Sequence, residues 1–498
     1  MGTPSVYPTG TTIYDPKKCW NGYTLIPVES LGTVLIDMNG KVVKFWEGLQ
    51  GFPNKLLPGG YVMGSLGLRD ADYSYQDQTD LSQIDWEGHV VWHFDKTEFV
   101  EDEGHEGRWM ARQHHDYQRE GNPVGYYVPG MEPRFDGGNT LILAHRTIHN
   151  HKISDKQLLD DIFVEVDWEG NILWQWSVAD HFRELGFSEA AKNVFFRNPN
   201  QHFTKNGELG DFMHINSMSY LGPNKWYDAG DERFKPDNII WDAREANIIA
   251  IIDKETGKIV WQMGPDFTIS KELRRIGQII GQHHAHMIPQ GLPGAGNILV
   301  FDNGGWAGYG LPDRMSRDGA KTDRRDHSRI LEIDPVSLRL VWSFTASDVI
   351  TGMMPLCADA SFYSQLISAA QRLPNGNTLV TEGCFNRLFE VTRDKEIVWE
   401  YVAPFADDVK AINNISETCI YRAYRYPYAY VPQLQNPVEV PVVRINNRLF
   451  RMPGAAEGLL GEATAVDGAE GFHAAAVGCV TADQITDGDD DETTGAFF

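Results

Sequence analysis

The stretch Val164-Glu-Val-Asp-Trp-Glu-Gly-Asn-Ile-Leu-Trp174 reads as a strand, a tight turn at Asp-Trp-Glu-Gly, and a second strand that closes on tryptophan. Alternation in Val-Glu-Val has the period of a strand, and the glycine supplies the positive φ that a short hairpin turn needs. The same phrase returns five times. Val34 to Trp46 carries Asp-Met-Asn-Gly, Gln83 to Trp92 carries Asp-Trp-Glu-Gly, and Ala250 to Trp261 carries Asp-Lys-Glu-Thr-Gly. Leu331 to Trp342 and Phe389 to Trp399 complete the set with Asp-Pro-Val-Ser and Thr-Arg-Asp-Lys.

Another strand precedes most of these hairpins, as in Gly138-Asn-Thr-Leu-Ile-Leu143, Gly296-Asn-Ile-Leu-Val-Phe301 and Gly376-Asn-Thr-Leu-Val380. Meandering units repeated six times describe an all-β, six-bladed β-propeller, whose blades bury their faces against one another. A β-sandwich has no need of one hairpin six times over. The expected boundaries are an N-terminal segment at 1–19, the propeller at 20–430, an extended strap at 431–453 and an acidic flexible tail at 454–498. Long insertions (Val100 to Asp136, Trp174 to Asp211) interrupt the repeat and include helical runs such as Ala179-Asp-His-Phe-Arg-Glu-Leu185. Insertions at one rim of a scaffold are a common place for a site.

The 498 residues carry 44 Lys and Arg against 69 Asp and Glu, a formal charge of −25. Basic residues are scattered singly, which argues against nucleic acid and against an anionic membrane surface as partners. The tail from Gly454 contributes ten acids and no Lys or Arg. No run approaches the roughly 20 apolar residues of a membrane span. The five cysteines are far apart and include no C-x-x-C pair, and the N-terminus shows no apolar leader. The chain reads as cytoplasmic, or periplasmic if a leader has been trimmed.

Histidines recur where successive blades begin: Gln113-His-His-Asp116, Met213-His-Ile-Asn216 and Gln282-His-His-Ala-His286. In the simplest register His114, His214 and His284 are equivalent, and Asp116, Asn216 and His286 follow two residues later on the same strand face. The first strand of a propeller blade borders the central channel, so these side chains are expected to converge in one pocket at its mouth. Imidazole suits proton transfer, nucleophilic attack and metal binding. Ala144-His-Arg146 and Asp302-Asn303 end strands at the same rim, and Arg329 and Arg387 open matched hairpin strands, where a guanidinium pair could clamp an oxyanion.

Met213-His-Ile-Asn216, Gln282-His-His284, Asp302-Asn-Gly304, Ser328-Arg-Ile-Leu-Glu332 and Leu373-Pro-Asn-Gly-Asn-Thr-Leu379 together resemble the bacterial arylsulfate sulfotransferase family, over roughly residues 20 to 430. That resemblance implies a six-bladed propeller that moves a sulfuryl group between phenols through a channel histidine, with no cofactor. It implies His214, His284 and Arg329 as oxygen-binding and acid–base groups; their expected place at the channel mouth makes His114, His115, Asn216, Asn303 and Arg387 the candidate substrate contacts. The family's nucleophilic histidine belongs to a late blade, and the matching stretch Gly383-Cys-Phe-Asn-Arg387 has none. His286 is then the expected nucleophile.

The competing expectation is a metal-dependent lyase or hydrolase acting on a phenolic or carboxylated small molecule, with one divalent ion held by His115, His214 and His284. The missing late histidine favours it. A protein-binding platform would leave the clustered imidazoles unexplained. Under either enzymatic reading the partner is a small aromatic molecule, and insertion residues such as Trp109, Tyr126, Trp226, Tyr227, Trp306 and Tyr309 are candidates to line its slot. The sequence does not set the oligomeric state, a homodimer being the assembly it leaves open.

Overall fold

The computed structural model describes residues 9–28, 31–70, 73, 76–204, 207–349, 361–404 and 419–443. They form six antiparallel blades. From the channel outward, blade 2 is Gln50–Leu57, Tyr61–Ser65, Leu81–Ile84 and Val90–Phe94, and blade 3 is Gln113–Arg119, Thr140–His149, Gln157–Val166 and Ile172–Ser177. Blade 4 is Ile215–Tyr220, Ile239–Ala243, Ile248–Ile252 and Ile259–Met263; blade 5 is His283–Met287, Ile298–Asp302, Arg329–Asp334 and Arg339–Thr345. Blade 6 is Ala369–Arg372, Thr378–Glu382, Arg387–Val391 and Ile397–Val402.

Blade 1 closes the ring. Tyr23–Val28, Gly32–Ile36 and Val42–Glu47 receive their channel strand, Tyr424–Tyr426, from the far end of the chain. The N-terminal segment is not separate from the propeller, as the boundaries at 1–19 had it: Gly10–Tyr14 pairs with Ile397–Val402 as a fifth, outer strand of blade 6. Of the strap, residues 431–443 are described; Val442 exchanges backbone hydrogen bonds with Tyr14 at 2.8 and 2.9 Å. The tail at 454–498 lies outside the described residues. Among the described residues no helix is long and apolar enough to cross a membrane.

The repeated hairpin joins blade to blade. The tryptophan that closes one blade donates its indole N–H to the residue after the turn aspartate, or its counterpart, in the next blade. Trp92 reaches Trp168 O at 2.9 Å, Trp174 reaches Lys254 O at 3.1 Å, and Trp261 reaches Pro335 O at 2.8 Å. Trp342 reaches Arg393 O at 2.9 Å, and Trp399 reaches Met38 O at 2.8 Å, which joins blade 6 to blade 1. Trp46 instead meets Trp86 edge to face, ring centroids 5.4 Å apart. Each donating indole thus buries an apolar face between blades and satisfies its one donor. Both faces of a blade are covered by neighbours, so middle strands such as Ile248-Ile-Ala-Ile-Ile252 are buried throughout rather than alternating.

Candidate active site

All six channel strands run in the same direction, so their N-terminal ends meet at one rim. There the backbone turns left-handed at three histidines: φ is 53° at His115, 51° at His214 and 56° at His284. A non-glycine residue in that region costs of order 1–3 kcal/mol and persists only where its surroundings impose it. Bulges in the channel strands of blades 3 and 5 supply the extra residue at His115 and His284.

Strand pairing corrects the simple register. His145 N bonds Arg112 O and Arg244 N bonds His214 O, so His214 matches Arg112 rather than His114 or His284. Counting from the second strands, Gln113 matches Gln282, so His114 matches His283 and His115 matches His284. A bulge shifts sequence spacing without changing residue type, which is why the unaided alignment slipped.

The imidazoles fall into two sets. The rim set is His114, His115, His145, His214 and His283. Nδ1 of His114 lies 2.8 Å from Nδ1 of His115, and the His115 and His214 rings meet edge to face at 4.7 Å. His214 Nδ1 donates to Asp211 Oδ2 at 2.5 Å. The insertion 201–211 delivers that carboxylate, because Asp211 pairs with Leu159 at the edge of blade 3. His283 Nδ1 donates to Asn303 Oδ1 at 2.8 Å. Burial, then neighbouring cationic groups, hold His114, His115 and His283 well below the ordinary histidine value, so they are neutral near pH 7. Within this set solvent reaches His214, whose side chain is 11% exposed.

The deep set is His284 and His286, with ring centroids 4.4 Å apart. His286 is fully engaged: Nε2 meets Tyr126 Oη at 2.9 Å and Nδ1 meets His284 O at 2.9 Å. His284 Nε2 meets Tyr424 Oη at 3.0 Å. Around them Arg422 donates to Asp116 Oδ2 at 2.8 Å, and Lys55 donates to Asp116 Oδ1 at 2.6 Å. Arg422 also holds the Tyr421 and Tyr424 hydroxyls, each at 3.2 Å. The middle of the channel is therefore packed solid.

Several expected site residues have other partners. His286 is 1% exposed with both nitrogens bonded, so it is no nucleophile for an incoming substrate. Arg329 points into its own blade, with Asp302 at 2.6 Å and the carbonyls of Ile276 and Gln278 taking its remaining N–H groups. Arg387 is held the same way between Glu382 and Glu400. The two arginines do occupy matched positions, but each guanidinium already has its oxyanions. Asn216 ties blade 4 to Gln282 O at 2.8 Å, and Asn303 acts through His283. His115 and His214 are in contact, whereas His284 sits with Tyr424 and His286, so the ligand trio His115, His214 and His284 does not assemble.

Sequence reasoning missed His283, Asp211, Asp161, Arg244 and the whole of Tyr421-Arg-Ala-Tyr424. Arg244 is the cross-strand neighbour of His214, and its charge adds to burial in depressing His283. The signal for it was positional: counted along the second strand of each blade, Arg244 holds the place of His145 and Asn303.

The arylsulfotransferase (ASST) family model matches residues 135–404, just over half of the chain. No curated protein matches. Among solved structures, a protein of unknown function from Bacteroides caccae is 13% identical, over 81% of this chain and 98% of that one, with a TM-score of 0.40. The Cps50 (Swd1) β-propeller domain of Myceliophteria thermophila is 10% identical over 81% and 89%, TM-score 0.35; streptogramin B lyase is 10% identical over 81% and 87%, TM-score 0.33. Likeness at that level carries no argument about chemistry.

Proposed function

This chain belongs to the arylsulfotransferase family, and from that membership we propose that it transfers a sulfuryl group between phenols, with His214 as the nucleophile in place of the late-blade histidine it lacks. The observation that carries this reading is the Asp211–His214 pair at the rim, beside neutral His115. With Nδ1–H donated to Asp211, the nucleophilic atom of this reading is the ring's other nitrogen, Nε2. That nitrogen attacks sulfur of an aryl sulfate; the N–S bond forms as the S–O(aryl) bond breaks, and the electron pair leaves with the phenolate. Asp211 offsets the positive charge the ring acquires. The second phenol enters as its phenolate, its proton given up to water, and its oxygen attacks sulfur and returns the N–S pair to His214.

The sulfate oxygens need a donor other than Arg329. Arg244 is suited to it: Glu245 and the Trp306 carbonyl take its two terminal nitrogens, but its Nε has no hydrogen-bond partner, next along the strand pair from His214. The test is intact-protein mass after incubation with an aryl sulfate and no acceptor, followed by peptide mapping. One added SO3 on residue 214, absent from His214→Asn, is the expected result. Turnover without an adduct, or an adduct on another residue, overturns the assignment.

A further inference from the structure

Behind His214 lies a cluster that sulfuryl transfer does not use. His114 Nε2 is 3.4 Å and His145 Nε2 is 3.8 Å from Asp161 Oδ1, and these three atoms all lie within 4.8 Å of one another. His114, His145 and Asp161 are at most 1% exposed. His114 Nε2 and Asp161 Oδ1 have no hydrogen-bond partner, a state that buried polar atoms seldom tolerate.

The tautomers are set from outside the cluster. His145 Nδ1 lies 2.6 Å from Asp77 Oδ1. Arg69 and Arg112 both pair with the other oxygen of Asp77, Oδ2, at 3.0 and 2.7 Å, so the Asp77 group faces His145 as a carboxylate that accepts the Nδ1 proton. His114 Nδ1 is taken up by His115. The Nε2 atoms of both rings therefore face the Asp161 oxygen, at 3.4 and 3.8 Å, and no hydrogen bond joins the three atoms. An imidazole whose far nitrogen is anchored by a carboxylate is the usual support of a metal ligand.

Charge points the same way. Arg69 and Arg112 pair with Asp77, while Asp161 has no Arg or Lys within salt-bridge distance among the described residues.

We propose that His114 Nε2, His145 Nε2 and Asp161 Oδ1 form a buried site for one divalent transition-metal cation. Two imidazoles and a carboxylate are a donor set for zinc and its first-row neighbours rather than for calcium or magnesium. The His114 and His145 rings stack at 3.6 Å with 17° between planes, so loading fans them about their Nδ1 anchors. The cation would brace the rim: His114 holds His115, whose ring touches His214, and Asp211 neighbours both Asp161 and His214.

The ligands are sealed from solvent, so the experiment loads the full chain, freed of any affinity tag, during expression in zinc-supplemented medium. Metal content is then measured after gel filtration in wild type and in Asp161→Asn, which keeps the shape and can donate to a facing nitrogen. About one zinc per chain in wild type and none in a folded Asp161→Asn is expected. Expression with cobalt gives a second readout that needs no variant: visible d–d absorption without the near-ultraviolet band of a thiolate ligand. Wild type without metal, equal metal in both proteins, or a thiolate band each overturns the proposal.

Discussion

Arg422, from the segment that leads into the last strand of the ring, donates to Asp116 Oδ2 at 2.8 Å across 306 residues of sequence, and both side chains are buried. Lys55 takes the other carboxylate oxygen, so blades 2 and 3 and the closing segment share one ionic knot. Removing one member of a buried pair strands the other charge and typically costs about 3–5 kcal/mol. Arg422→Met should therefore lower unfolding stability by about that much, read as a shift of the urea midpoint at unchanged slope. Arg422→Met with Asp116→Leu and Lys55→Met, which leaves no charge of the knot unpaired, should recover part of the loss.

Ring closure has its own lock. Arg425 is fully buried, pairs with Glu390 of blade 6, and donates to Thr24 Oγ1 of blade 1 at 3.2 Å. Its guanidinium lies 4.3 Å from the Trp399 ring centroid. Arg425→Met and Glu390→Gln should each destabilise by about 3 kcal/mol or more, with a double-mutant coupling above about 1 kcal/mol. Additive losses would mean that the pair does not act as a unit.

Catalysis and scaffold should separate at two arginines. Arg244→Met is expected to lower kcat per folded molecule by about 10²–10³, the usual effect of losing one oxyanion donor, and also to lower the melting temperature, because it strands buried Glu245. Arg329→Met leaves Asp302 short of a partner, so it should lower stability while kcat per folded molecule stays the same.

Acid sensitivity should change in opposite directions at two buried groups. Burial holds His286 down at about 4, so it stabilises the fold above its ordinary value near 6.5 and loses that contribution as pH falls toward 4. At about 1.4 kcal/mol per unit the loss is about 3 kcal/mol. Tyr126, His284, Arg422, Asp116 and Arg372 are the groups around it. Burial raises Asp242 to about 7, so its contribution is complete below 3.8 and is lost as pH rises through 7. Urea midpoints measured from pH 7 to 4 should fall less steeply for His286→Gln than for wild type, and more steeply for Asp242→Asn.

The sequence alone determined the scaffold. Six copies of one hairpin were legible because the same contact recurs from blade to blade: a closing tryptophan must cross to the next turn, and that need repeats around a ring. The family could be read too, since short motifs held their order through the repeats. What the sequence could not fix was which side chains meet. Bulges moved His214 out of register with His114, and a hairpin inserted near residue 201 brought Asp211 to it. Arg329 and Arg387 were rightly matched to each other, but only their cross-strand carboxylates decided that they serve the blades. Tyr421-Arg-Ala-Tyr424 carries no motif of its own; ring closure made it the channel wall, because a propeller's last open edge must be filled by whichever strand is left. Local pattern encodes contacts that repeat with the chain, whereas a site gathers residues hundreds of positions apart and exists only once the ring has closed.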